Sequence, residues 1–345
     1  MALSQILFGI LGLGLLMVVH EGGHYVAARA FKMRVTRFSI GFGPALFRHQ
    51  PKDSPTTYQI AILPFLAYVQ IAGMNPLEDI DPNDKGSYAN ASLVGRIGTI
   101  FAGPLANYLF ASVLFFGALL IGGRDDVPTT RVSVMPNGAA AQAQMLTGDR
   151  IVEVAGESIG DRDWNRMRAV ISSHPGQSIP IVVERDAHTI SLTVTPKSDN
   201  GEGRIGVAPH PTPVSIRDAM VLAVREPAKV VVNVLTGLGR MLTGKEKPDL
   251  SGPVGIVRET ARFAQLGLAP FLSFLGVLSA YLGAFNLLPI PALDGGRLKF
   301  LGYEATTRRR PTPKVEAQVH AVGLLMMLAL IVFVTVAVDI PGRHH

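Results

Sequence analysis

The sequence has no cysteine, and only 17% of its 345 residues are Asp, Glu, Lys or Arg. Without thiols there is no disulfide scaffold and no cysteine-ligated zinc or iron–sulfur centre. Soluble domains carry about 25% charge, so this shortage, beside 48% apolar residues, argues against an ordinary soluble chain. The same balance excludes intrinsic disorder, which needs few apolar residues and many charges. No phosphate loop of the GxxxxGK[ST] form occurs, and nucleotide binding has no support. Aromatic and basic residues do not interleave, and the net charge of +6 does not read as a nucleic-acid surface. No internal repeat is found. Length alone would allow two or three domains.

Charge is missing in blocks. Residues 1–20 precede the first charged side chain, Glu21, and further uncharged windows run over 97–123, 263–293 and 317–338. Each reaches the ~20 residues that carry a helix across ~30 Å of hydrocarbon, so four transmembrane helices are expected. A cleaved signal peptide fits the first poorly, because it lacks a basic leader and its apolar pattern continues through Tyr25–Phe31. Between helices one and two lie Arg29, Lys32, Arg34, Arg37, Arg48 and Lys52; between three and four lie Arg297, Lys299, Arg308, Arg309, Arg310 and Lys314. By the positive-inside rule both loops are cytoplasmic. The termini and the segment 124–262 then face outward, and the positive charge sits against anionic lipid.

On the expected first helix, where the first window ends, stands His20-Glu21-Gly22-Gly23-His24. Histidines at i and i+4 share a helix face, which suits two imidazole nitrogens on one tetrahedral metal. The glutamate between them can take a proton from a water held by that metal. Ionisable groups inside a membrane span are costly and usually mark a function. A solvated motif just beyond the membrane is the bland alternative. A catalytic zinc needs three protein ligands and one open position, and without cysteine the third must be His, Asp or Glu. Asp294, in Asn286-Leu287-Leu288-Pro289-Ile290-Pro291-Ala292-Leu293-Asp294-Gly295-Gly296, is the best candidate. Ser4 to His20 spans roughly 24 Å of helix, which puts His20 near the cytoplasmic depth where helix three ends at Asp294. Prolines and glycines break the helix there, and irregular backbone at membrane depth is tolerated when it is buried or lines a wet cavity. The alternatives are that Asp294 merely caps a helix, or that His320, at the start of helix four, is the third ligand.

HExxH on a first span with a later N-x-x-P-x-P-x-L-D-G-G resembles the site-2 protease family of intramembrane zinc metalloproteases (peptidase M50), and within it the bacterial regulator of sigma-E protease group. The resemblance implies Zn2+ held by His20, His24 and Asp294, Glu21 as catalytic base, and Asn286, Pro289 and Pro291 as residues that hold substrate. It also implies cleavage of single-span membrane proteins, such as anti-sigma factors or signal-peptide remnants, in or near the bilayer. Val35–Met74, with Phe38-Ser39-Ile40-Gly41-Phe42-Gly43-Pro44, is similar to the family's membrane-associated β-hairpin. Ala102-Gly103-Pro104-Leu105-Ala106-Asn107 and Ser251-Gly252-Pro253-Val254-Gly255-Ile256 are similar to its segments on and before later spans. Two departures stand out: Gly22-Gly23 where the family usually has a bulky residue then glycine, and Leu66-Ala67 where it generally has Gly-Gly.

Residues 126–208 change pattern. Strands are expected at 131–134, 179–184 and 189–194, turns at Asn137-Gly138, Thr147-Gly148-Asp149 and Pro175-Gly176, and a helix at 164–172. Pro136-Asn137-Gly138-Ala139-Ala140 followed by 146–159 resembles a PDZ domain, with Gln144-Met145 in place of a commoner Gly-Leu. Such domains bind peptide termini by strand addition, and by that resemblance Ile205, Gly206 and Val207 line the groove. A spacer that screens substrates by size is the equal alternative. Residues 216–242 have amphipathic helical spacing, read as one or two surface helices interrupted near Pro227, or as a simple linker. The sequon Asn90-Ala91-Ser92 lies on the expected cytoplasmic side and is discounted.

The expected architecture is a polytopic α-helical membrane protein with an inserted extracytoplasmic α/β PDZ domain, in the bacterial cytoplasmic membrane. Its divisions are 1–34 (helix one with HExxH), 35–92 (membrane-associated β-hairpin and loop), 93–123 (helix two) and 124–212 (PDZ domain). Then follow 213–262 (amphipathic surface segment), 263–296 (helix three with the LDGG motif), 297–314 (basic cytoplasmic loop) and 315–345 (helix four and tail). The function expected is that of an intramembrane zinc metalloendopeptidase, with lipid and single-span membrane proteins as partners. A non-catalytic membrane PDZ adaptor is the rival. A transporter would spread ionisable residues over several spans, whereas here they cluster at one depth.

Overall fold

The computed structural model describes residues 3–124, 128–199, 201–245 and 252–339, apart from the side chains of residues 3–6, 64–66 and 242. Ser251 of the segment before helix three, and the Leu66 side chain of the Leu66-Ala67 departure, lie outside the described residues. The chain forms two compact units, residues 1–121 with 216–345, and residues 122–215.

The first unit opens with α1 (Leu3–Ala30), in which Glu21 is the one charged side chain before Arg29. Its end is a Schellman closure, with Met33 N–H on the Ala28 carbonyl at 2.8 Å and Lys32 N–H on Arg29 at 3.0 Å. Lys32 takes the left-handed conformation this requires, at φ 62°. The chain then enters β1 (Val35–His49) and returns along β2 (Thr57–Ile71). The two strands pair twice over: Phe38 faces both Val69 and Tyr58, while Phe47 and Arg48 face Ile60 and Gln59. The expected hairpin is therefore folded across itself, in the order 67–71, 35–40, 57–61, 45–49. The fold-over occurs where Gly41 and Gly43 adopt φ 92° and 96°. A Cβ at Gly41 would stand 2.7 Å from the Ala61 carbonyl oxygen, so only glycine fits the bend.

A short 3-10 turn at Tyr88–Asn90 leads to α2 (Leu93–Gly122), which continues through Pro104. After the second unit come α5 (Ile216–Leu242), α6 (Pro253–Gln265), α7 (Leu268–Asn286), α8 (Asp294–Thr307) and α9 (Pro313–Val334), the last continued by a π-helical turn to Asp339; α3, α4 and the remaining strands belong to the second unit. Among the described residues, four helices are long and apolar enough to cross a membrane: Leu7–Ala30, Leu93–Gly122, Leu268–Asn286 and Pro313–Asp339.

Three expectations are corrected here. Helix three does not run unbroken from 263 to its expected break near Asp294: Gly267, at φ 117°, separates α6 from α7, and the helical form already ends at Asn286. The stretch 297–314 is not a loop, because α8 carries it to Thr307. Pro227 does not interrupt α5, since Ala223 and Val230 on either side pack into one apolar cluster with Ala111, Phe115 and Ala280. That packing offsets the single backbone hydrogen bond a proline removes.

The second unit contains β3 (Val132–Val134), α3 (Ala139–Gln142), β4 (Arg150–Val154), β5 (Glu157–Ser158), α4 (Trp164–Ser172), β6 (Ile179–Arg185), β7 (His188–Val194), β8 (Lys197–Asp199), β9 (Glu202–Arg204) and β10 (Val207–Pro209). Four strands form an antiparallel sheet in the order β5-β4-β6-β7, while β3 pairs with β10 and β8 with β9. Alternate residues Ile179, Ile181 and Val183 of β6 point into a closed core with Val132, Met145, Ile151, Val154, Met167 and Ile205, as the two-residue period of a half-buried strand demands.

Candidate metal centre

The site forms where α1 crosses α2 at very close range. A Cβ on Gly23 would overlap the Ala102 carbonyl, and one on Gly103 would overlap the His24 imidazole. Gly283 of α7 presses on the same place, 2.9 Å from the Pro104 carbonyl oxygen if given a Cβ. Small residues at a membrane crossing let backbones approach and make room for something else. Here the room is taken by two imidazoles, His20 and His24, which are 4% and 5% exposed.

The third component arrives on irregular backbone. After Asn286, the segment 287–293 turns through short-range bonds such as Ile290 N–H to the Leu288 carbonyl at 2.7 Å. Ala292 is left-handed at φ 74°. Gly295 and Gly296 permit the tight return, because a Cβ on either would run into the carbonyls of Leu288 or Ile290. Asp294 begins α8 there, its Oδ2 lying 3.2 Å from His20 Nε2 and 3.3 Å from His24 Nε2. The two Nε2 atoms are 3.3 Å apart.

These distances test what the site can hold. Four ligands at about 2.0 Å from a tetrahedral zinc stand about 3.3 Å from one another, by the geometry of the tetrahedron. The three atoms match three corners of that figure. Their electronics agree. His24 Nδ1 lies 2.8 Å from the Thr99 carbonyl oxygen, which only accepts, so Nδ1 carries the proton and Nε2 presents a lone pair. His20 Nδ1 lies 3.3 Å from the Asn107 amide nitrogen, Nδ2. Exchanging the amide's nitrogen and oxygen lets Nδ1–H donate to Oδ1, and gives that buried oxygen, otherwise unpaired, its partner. Asp294 Oδ2 is buried with no hydrogen-bond donor. Three lone-pair atoms facing one another in a buried space repel unless a cation sits among them. Among the described residues His20, His24 and Asp294 are a group able to hold a metal ion, and the donor set, two imidazoles and a carboxylate with one corner open, fits zinc.

Glu21 lies on the adjacent face of α1, where its Oε2 accepts the Val69 N–H at 2.9 Å. Val69 belongs to the outer strand of the folded hairpin, so one edge of residues 67–71 runs past the site. Asn286 donates its side-chain amide to the Leu282 carbonyl in its own helix at 2.9 Å. Pro289 is exposed and Pro291 half-buried. In the second unit Ile205 is a core side chain, 2% exposed; its carbonyl accepts from Ala140, and that of Gly206 from Met135. Val207 pairs with Val134.

Thr99 is a residue that reading the sequence missed, and Gly103 and Asn107 were singled out there only as part of a family-like motif, with no role beside the histidines. They lie at i, i+4 and i+8, on one face of α2, so the spacing of small and polar residues inside an apolar helix was the available signal.

Comparison with known proteins agrees with this picture. The profile of peptidase family M50 matches residues 8–330. A Nostoc sp. protein given a zinc metalloprotease name is 32% identical, with 96% of this chain and 95% of the relative covered. Zinc metalloprotease RasP of Geobacillus kaustophilus is 30% identical over 96% of this chain and 97% of its own. The protease Eep of Enterococcus faecalis is 26% identical over 96% and 98%.

Proposed function

The chain belongs to peptidase family M50, and from that premise we propose that this membrane-embedded zinc metalloprotease cuts single-span membrane proteins within or beside their transmembrane segment. His20, His24 and Asp294 hold the zinc. The observation that carries this is the match of their 3.2–3.3 Å separations to the edge of a zinc tetrahedron. When bound, the zinc acidifies a water molecule and polarises the scissile carbonyl.

Glu21 is the general base. The Val69 N–H fixes one of its carboxylate oxygens and leaves the other to take the proton of the attacking water and return it to the leaving amine. A transmembrane helix hides its carbonyls in its own hydrogen bonds, so the substrate must unwind before attack. Pairing with the outer edge of residues 67–71 supplies the extended form. Asn286, Pro289 and Pro291 hold the substrate beside that edge. A silent adaptor would have no use for three converging lone pairs.

The protein lies in the bacterial cytoplasmic membrane with its basic stretches inside and its termini and residues 122–215 outside. The outer unit acts as a PDZ domain whose Ile205–Val207 segment meets peptide termini. Anti-sigma factors and signal-peptide remnants are the substrate class. The deciding experiment is Glu21→Gln on purified protein: zinc content is retained and cleavage of a single-span substrate falls by about 10²–10⁴-fold. Undiminished cleavage would remove Glu21 from its role.

A further inference from the structure

We propose that His320 on α9 is a positioning residue for the metal centre: it fixes the irregular segment that delivers Asp294. The proposal rests on Asp294 being a zinc ligand. Ala292, two residues before Asp294, holds a left-handed φ of 74° that a residue with a side chain rarely adopts. Its N–H points away from the turn and donates to His320 Nδ1 at 3.0 Å. Since Nδ1 accepts here, the imidazole carries its proton on Nε2, and Nδ1 is not free to be a ligand. The same ring lies 5.6 Å from Phe300, on the helix that Asp294 begins. His320 thus touches both the segment that leads into Asp294 and the helix that leads out.

A second feature of α9 points the same way. Gly323, three residues on and on the same helix face, lies so close to Pro291 that a Cβ would stand 2.7 Å from its carbonyl carbon and 2.8 Å from its oxygen. Most of α9 is exposed; Gly323 and Val334 are its buried residues. The helix therefore packs hard where it meets Pro291 and Ala292, one turn holding the backbone by contact and the other by a hydrogen bond. A left-handed alanine whose N–H has no acceptor would relax, and its neighbours would carry Asp294 away from the two imidazoles.

The test uses the full-length protein in detergent, with zinc affinity measured by competition against a fluorescent chelator. Partners behind a metal ligand typically matter by 10–100-fold, so His320→Ala is expected to weaken zinc binding by about that factor and to lower kcat while KM holds. In His320→Asn the side-chain oxygen occupies the place of Nδ1, and recovery to within about threefold of the unsubstituted protein is expected. Gly323→Ala keeps His320 but displaces Pro291, and is expected to weaken zinc binding too, which keeps the test decisive should His320→Ala not fold. Unchanged affinity in His320→Ala or in Gly323→Ala, or an Asn variant as weak as the Ala one, overturns the proposal. Asp294→Ala is measured alongside. If it keeps zinc, the ligand assignment itself is wrong; if it loses zinc while His320→Ala does not, only the role of His320 falls.

Discussion

Two neighbouring glycines in α1 show how finely the site depends on single atoms. Gly22 has no heavy atom within 4 Å of where its Cβ would be, whereas at Gly23 a Cβ would overlap the Ala102 carbonyl of α2. Gly22→Ala is therefore expected to leave zinc occupancy unchanged and to stabilise the helix by up to ~1 kcal/mol. Gly23→Ala must push α1 and α2 apart at the level of His20 and His24, and is expected to lower both the thermal midpoint and the zinc content. Thermal unfolding in detergent with metal analysis of the same samples checks both. At this scale the three residues that come together, His20, His24 and Asp294, were legible because chemistry limits which side chains can ligate a metal. Thr99 and Val69 were not, because they act through backbone carbonyl and amide groups that every residue possesses.

Among the elements, the joint between α2 and α8 is the most exposed to a direct test. Arg96 donates from both terminal guanidinium nitrogens to Glu304, at 2.9 and 2.6 Å, with side chains only 7% and 14% exposed. Arg96, and after it Arg310, hold the Glu304 carboxyl below its usual range against the effect of burial. Removing one partner of a buried pair typically destabilises by ~3–5 kcal/mol, while replacing both with apolar groups is near neutral. Arg96→Met should thus unfold at a clearly lower temperature than the double variant Arg96→Met, Glu304→Met, and equal midpoints for the two would contradict the pairing. The helical nature of α8 was hidden from the sequence. Arg297 and Lys299 read as loop charge, yet Gly295, Gly296 and Leu301 form the side that packs. The break at Gly267 was equally hidden, since an uncharged window records what lipid tolerates and not where the backbone turns.

For the molecule as a whole, the second unit has a hydrophobic core of its own residues. Residues 122–215 expressed alone are expected to fold in water and unfold cooperatively, as followed by circular dichroism. Asp149 supplies a pH signature. Burial would raise its carboxyl, but the Arg185 fork at 2.7 Å and the Leu146 N–H at 2.9 Å outweigh it and leave its pKa lowered. A carboxyl lowered on folding contributes stability that is complete above its unfolded pKa, near 3.9, and is lost as pH falls below it. The excised unit should therefore lose stability steeply below about pH 4, and an Asp149→Asn variant should show a flatter acid limb. Identical acid limbs would rule out this contribution.

By itself the sequence determined that the chain crosses a membrane and carries a zinc-type ligand set, because hydrocarbon excludes charge and zinc accepts few donors. It also determined much of the second unit, including the helix at Trp164–Ser172 and the turns between strands, because a half-buried strand must alternate. Only the tertiary structure decided that residue 294 starts a helix instead of ending one, that the hairpin crosses over itself, and that α9 grips the segment beside Asp294. Those features depend on which backbones approach within a few ångströms, and that is set by packing between residues far apart in the chain, where no local pattern records it.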